Sequence, residues 1–203
     1  MKVIGLTGGI GGGKSLVAHI LRDKYKAYIL DTDSIAKAQM EPGGASYQEV
    51  VAYIGDQVLD PDGRINRARL ASIIFDDMEK RLKINGITHP KVLEEVQDKI
   101  QELRDEGTVP YLVVETALMI EAGYDYICDE VWYVYAPEEE RRKRLKRDRN
   151  YSDEKIDSIF QNQMKEEAFR KTFSKVIENA GDARLVEAQV AALLEYESRG
   201  CRK

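Results

Sequence analysis

Short apolar runs alternate with longer stretches of helical period along the chain. Runs at 2–7, 26–30, 111–115, 130–135 and 174–178 are brief and rich in β-branched and aromatic residues, the pattern of buried strands. Helical patterns are predicted at 15–24, 33–40, 45–54, 66–75, 77–84, 89–106, 137–148, 152–170 and 182–198. In 89–106, Val92, Val96, Ile100 and Leu103 recur on one face; in 182–198, Leu185, Val186, Val190, Leu193 and Leu194 do so behind Asp182 as N-cap. The alternation predicts an α/β fold: a parallel sheet of about five strands flanked by helices on both faces.

About 80 residues separate the second and third runs, whereas a plain crossover between parallel strands needs about a dozen. The excess, 40–107, is expected to be a helical insertion, with turns at Pro42, Gly43 and Gly44 and at Pro61, Asp62 and Gly63. Ligands of α/β sheets bind beyond the carboxyl ends of the strands, so an insertion leaving the second strand there is placed to hold a second substrate.

Composition narrows the class. The 203 residues are 43% hydrophobic and 33% charged, with a net charge of −5, as expected of a globular protein in water. No apolar run approaches the ~20 residues that span a bilayer, so no membrane partner is expected, and the glycine-rich start does not read as a signal peptide. Cys128 and Cys201 lack metal-type spacing and fit a reducing, cytoplasmic setting. Net acidity argues against a nucleic-acid partner. The charge is uneven, however: residues 138–149 carry seven Arg or Lys and four acids.

The chemistry begins at residues 8–15, GGIGGGKS, which match G-x-x-x-x-G-K-[ST] between a strand and a helix. Glycines let backbone N–H groups turn toward an anion, and the helix N-terminus adds partial positive charge. The nucleotide-binding set is Gly8, Gly11, Gly12, Gly13, Lys14, Ser15 and Leu16. Lys14 is expected to reach the β- and γ-phosphates of ATP, and the Ser15 hydroxyl to ligate Mg²⁺. Leu16 offers no hydroxyl, so the metal role rests on Ser15. His19, on the following helix, reads as structural.

A second site follows from lengths. The helix after Ser15 advances roughly 15 Å and the second strand returns roughly 17 Å, bringing Asp31, Thr32 and Asp33 back to the level of the loop. One acid is expected to cap the next helix. The other, assigned as Asp33, would orient an attacking hydroxyl and take its proton; loose phosphoryl-transfer transition states ask more for orientation than for basicity. The basic run is expected to close as a lid, with Arg144, Arg147 and Arg149, nearest the turn at Asn150, clamping phosphate and excluding water. The competing reading is a solvated helix face with pairs such as Glu140 and Arg144.

Together these segments resemble the bacterial dephospho-CoA kinase family: GLTGGIGGGKS at 5–15, DTDSIAK at 31–37, EPGG at 41–44, HP at 89–90, LMIE at 118–121, QNQ at 161–163 and VIENAG at 176–181. The resemblance spans nearly the whole chain. It implies a P-loop NTPase-type fold that transfers phosphate from ATP to the ribose 3′-hydroxyl of dephospho-CoA, the last step of coenzyme A synthesis, with Mg²⁺ as cofactor. It implies a nucleotide-binding core (1–39, 108–137 and 171–203), a helical CoA-binding insertion (40–107) and a lid (138–170). Asp33 matches the family's catalytic aspartate, Lys14 and Ser15 its phosphate and metal residues, and the basic run its lid.

Lys37 stands where the family has Arg, keeping the charge but not the bidentate fork. Ala117 replaces a frequent Pro, and either Arg147 or Arg149 matches the lid arginine. His89 either contacts the acceptor or orients a helix start before Pro90. Glu115 is either an acid beside the metal or an acidic strand end. The remaining alternative is another small-molecule P-loop kinase, shikimate-kinase-like or nucleoside-monophosphate-kinase-like. The chain is expected to act as a monomer or weak homo-oligomer.

Overall fold

A computed structural model describes residues 1–75 and 77–200; Cys201 lies outside them. The five strands are β1 (Lys2–Thr7), β2 (Tyr28–Asp31), β3 (Tyr111–Glu115), β4 (Glu130–Tyr135) and β5 (Lys175–Glu178), in the order β2-β3-β1-β4-β5 in one parallel sheet. The helices are α1 (Lys14–Tyr25), α2 (Thr32–Gln39), α3 (Tyr47–Ile54), α4 (Arg67–Phe75), α5 (Met78–Glu106), α6 (Glu138–Arg149), α7 (Asp153–Asn162), α8 (Glu166–Thr172) and α9 (Ala183–Gly200). The chain divides into two compact units, one made of residues 1–30 and 103 onward and one of 31–102. The segment 138–170 belongs to the first.

In the first unit, β1 is central and buried on both faces. Its Ile4 and Leu6 join Val113, Trp132, Val134 and Ile177 in the core that α1 and α9 cover with Val17, Leu21, Val186 and Val190. On the other face, a Cβ on Gly5 would approach Met119 Cε to 2.8 Å and Cys128 Sγ to 3.0 Å, so a larger residue there would have to displace the end of the Met119 side chain. Strand β2 starts at Tyr28 rather than 26, because Lys26 takes a left-handed conformation (φ 56°) at the end of α1. Such a residue reverses the chain and cannot also extend a strand.

The second unit has its own core of Val50, Ile54, Val58, Ile65, Leu70, Ile84 and Ile87. Two sequence expectations change. The separate helices at 77–84 and 89–106 are one helix, α5, which carries Pro90 in its interior. Proline deletes the hydrogen bond to the carbonyl four residues back, here that of Gly86. Continuity is favoured because Ile84, Ile87, Val92, Val96, Ile100 and Leu103 are all buried; breaking the helix would expose part of that stripe. His89 therefore does not orient a helix start.

The second change falls on 152–170, which is two helices, α7 and α8, separated by extended backbone at Gln163 (ψ 152°) and Lys165 (ψ 151°). Periodicity reads through this break because side chains on both sides are amphipathic. Gln163 leaves the helix to accept from Arg141 and from the Ile10 N–H.

Candidate active site

Residues 8–13 form a loop between β1 and α1 whose shape only glycine allows. Gly8, Gly11 and Gly13 have φ of 146°, 77° and 100°, values that cost L side chains dearly. A Cβ on Gly8 would also collide with the Val134 carbonyl, and one on Gly13 with the Asn179 amide. Gly13 is the N-cap of α1 with no side-chain cap among the described residues, so the first turn presents its N–H groups at the positive end of the helix dipole. Lys14 Nζ donates to the Gly8 carbonyl at 2.9 Å, holding the ammonium across the loop. Leu16 packs its side chain against the core.

The strand register places an acid beside this loop. Leu6 of β1 lies opposite Glu115, the last residue of β3, and the exposed Ser15 hydroxyl donates to Glu115 Oε1 at 2.8 Å. A hydroxyl next to a carboxylate is a hard-oxygen set suited to Mg²⁺.

Helix α6 reaches the loop through two arginines spaced i, i+3 on its inner face. Arg144 donates from Nη1 to the Gly11 carbonyl (3.2 Å) and from Nη2 to the Asn179 carbonyl (3.0 Å). Arg141 donates from Nε to the Ile10 carbonyl (2.8 Å) and from Nη2 to Gln163 Oε1 (2.7 Å). Gln163 Oε1 also accepts from the Ile10 N–H at 3.2 Å. Buried Asn179 donates from Nδ2 to the Gly12 carbonyl at 2.8 Å. Burial lowers the affinity of Arg141 for its proton relative to a free guanidinium. Arg142 points the other way, to Asp153 (2.9 Å) and Asp157 (2.5 Å) of α7, and these carboxylates raise its pKa.

Arg147 and Arg149 are not brought to the loop. Arg147 is exposed and pairs with Asp148 at 2.6 Å; Arg149 is exposed at the end of α6. Two hollows flank the region: a cavity of about 440 Å³ lined by Gly9, Tyr133, Tyr135, Arg141, Phe160 and Gln163, and a more apolar groove of about 650 Å³ lined by Gly181, Asp182, Leu185 and Ala188. Burial pushes the Tyr133 hydroxyl up to about 12.

Asp33, Lys37 and His89, the residues expected to meet the acceptor, belong to the second unit. Asp31 is the N-cap of α2: Oδ1 accepts from the Asp33 N–H (3.1 Å) and Oδ2 from the Ser34 hydroxyl (2.5 Å). Capping is thus done by Asp31, while Asp33 stands exposed at the second position of the helix. Lys37 is exposed one turn further on, and its carbonyl accepts from Arg67 at 3.4 Å. His89 is half-buried within α5.

Sequence reasoning did not select Arg141, Gln163 or Asn179. Two of them lie inside recognised segments, QNQ and VIENAG. Arg141 carried a signal in its i, i+3 spacing from Arg144, which places both on one helix face.

A family model described as dephospho-CoA kinase matches residues 2–184. The chain is 40% identical over 195 residues to the dephospho-CoA kinase of Carboxydothermus hydrogenoformans, covering 96% of this chain and 94% of that protein. It is 42% identical over 192 residues to that of Moorella thermoacetica, covering 95% and 90%. Among solved structures, TT1252 from Thermus thermophilus superposes with a TM-score of 0.80 at 30% identity, over 96% of this chain and 97% of that one.

Proposed function

The chain belongs to the dephospho-CoA kinase family, and from that premise we propose how its residues divide the transfer of phosphate from ATP to the 3′-hydroxyl of dephospho-CoA, the last step of coenzyme A biosynthesis. The observation that carries the reading is the constellation around Gly8–Ser15: a glycine loop opening α1, Lys14 across it, Ser15 on Glu115, and Arg144 anchored to Gly11 and Asn179.

The loop N–H groups and the α1 dipole bind the β- and γ-phosphates, and Lys14 turns from the Gly8 carbonyl to a phosphate oxygen. Arg144 offsets charge that develops on the transferring group. The Ser15 hydroxyl, with Glu115 beside it, would hold Mg²⁺, which when bound would neutralise phosphate charge. Asp33 orients the acceptor hydroxyl and takes its proton. Its neighbour Asp31 is committed to capping, which supports that division of labour. Lys37 and His89 contact the acceptor, and segment 138–170 closes as a lid, bringing Arg147 or Arg149 inward. The enzyme works in the cytoplasm as a monomer or weak homo-oligomer.

The test is an ATP-coupled assay of purified protein with Mg²⁺ against dephospho-CoA, shikimate, AMP and CMP. Turnover is expected with dephospho-CoA. Turnover confined to one of the others would replace this reading with the small-molecule-kinase alternative.

A further inference from the structure

We infer that Arg141 and Gln163 are positioning residues for the nucleotide: with the Ile10 peptide they close a hydrogen-bonded triangle that holds the outer half of the phosphate loop in its receiving shape. The inference rests on the reading that this loop holds the phosphates of ATP. Arg141 Nε donates to the Ile10 carbonyl, Arg141 Nη2 donates to Gln163 Oε1, and that same oxygen accepts from the Ile10 N–H. One amide oxygen has two lone pairs and here serves two donors. The guanidinium packs over the Phe160 ring, 4.3 Å from its centroid, which fixes its plane.

Position explains the need. Ile10 sits between Gly8 and Gly11, both at positive φ. Glycine hinges on both sides leave that residue many conformations in isolation. Holding it at both its N–H and its carbonyl removes those alternatives before ATP arrives, so binding does not have to. The chemistry of the pair fits as well. A neutral glutamine accepts both hydrogen bonds without placing negative charge where phosphate lands. No carboxylate pairs directly with Arg141 among the described residues; Glu138 and Glu166, which line the same cavity, act on its charge from farther away. Arg141 lies in α6 and Gln163 just beyond α7, so both helices are tied to the loop through a single residue, Ile10.

The test compares Arg141→Met, Gln163→Met and the double variant with wild type, by calorimetric titration with MgATP and by steady-state kinetics with dephospho-CoA. Each single variant is expected to raise the Kd and KM for MgATP by about tenfold, the worth of roughly one net hydrogen bond. Turnover should stay within about threefold and the KM for dephospho-CoA should not move, a split that general destabilisation would not produce. Because the triangle acts as a unit, the double variant should be no more than about twofold worse than either single. Unchanged MgATP affinity in the singles, or losses that add in the double, would overturn the inference. Gln163→Glu keeps the acceptor oxygen while opposing phosphate, so it should hold its melting temperature and still bind MgATP more weakly; if the methionine variants do not fold, unchanged affinity in this variant overturns the inference instead. A wild-type protein that binds no MgATP would refute the reading of the loop and not the triangle.

Discussion

The Ser15 hydroxyl donates to Glu115 Oε1 across 2.8 Å, joining the first turn of α1 to the carboxyl end of β3. The contact follows from parallel pairing, since the register that sets Leu6 opposite Glu115 carries the acid to the level of the loop. Glu115→Gln keeps the size and loses the charge. It should raise the Mg²⁺ concentration needed for half-maximal activity and lower kcat by about tenfold or more, because a hard cation prefers a carboxylate to an amide. A Mg²⁺ titration of activity checks this; an unshifted midpoint would reduce Glu115 to a strand end.

Asp31 and Asp33 should separate cleanly. Asp33→Asn is expected to lower kcat by about 10²-fold or more with MgATP affinity unchanged, in the range lost with a general base. Asp31→Ala removes an N-cap and should cost about 1 kcal/mol of stability, read by denaturant titration, with the larger part of kcat retained. The reverse pattern would transfer the catalytic role to Asp31.

The arginines of α6 should rank by their contacts. Arg144→Met should lower kcat/KM for ATP by about 10²-fold, since a charge-assisted anchor to the loop is lost with the charge itself. Arg147→Met and Arg149→Met, tested singly under the same assay, should differ: the arginine that closure of 138–170 brings inward should lose activity, and the other should stay near wild type. If either equals Arg144, closure of 138–170 brings it to the phosphates.

Gly13→Ala adds a Cβ at a φ of 100° and against the Asn179 amide. Strain and collision should abolish MgATP binding and destabilise the protein by roughly 1–3 kcal/mol. Thermal melting with and without MgATP measures both effects, and a nucleotide-dependent rise in melting temperature that survives the substitution would contradict it.

Cys128 gives a pH dependence with a definite sign. Burial, then Asp129 and Asp125, push its thiol from 9.0 up to about 12. The folded state therefore holds the proton more tightly than the unfolded one, so this contribution is complete below pH 9 and is lost as pH rises toward 12. Stability should decline over that window, and Cys128→Ala should flatten the decline. Alkylation of the native protein at pH 8 should leave Cys128 unmodified, as the thiolate is the reactive form.

The sequence alone determined what depends on local order. Strand and helix periods, the glycine loop and the two acids around the end of β2 are set by residues near one another, so most elements and the loop residues Gly8, Gly13, Lys14 and Ser15 were legible in the chain. The chain offered one of Asp31 and Asp33 as a cap and assigned Asp33 to the hydroxyl; the hydrogen bonds from Asp33 N–H and Ser34 Oγ make Asp31 the cap. Tertiary structure decided the rest because it turns on partners far apart in the chain. Pro90 stays inside α5 since the buried stripe outweighs one missing hydrogen bond. The helix expected over 152–170 breaks at Gln163, where its amide oxygen serves the Ile10 N–H and Arg141, groups 153 and 22 residues away. The face of α6 that meets the loop is likewise fixed by packing around buried Leu145. A run of seven basic residues states how much charge is present; only the direction of the helix says that Arg141 and Arg144 bring it to the phosphate loop while Arg147 leaves it in solvent.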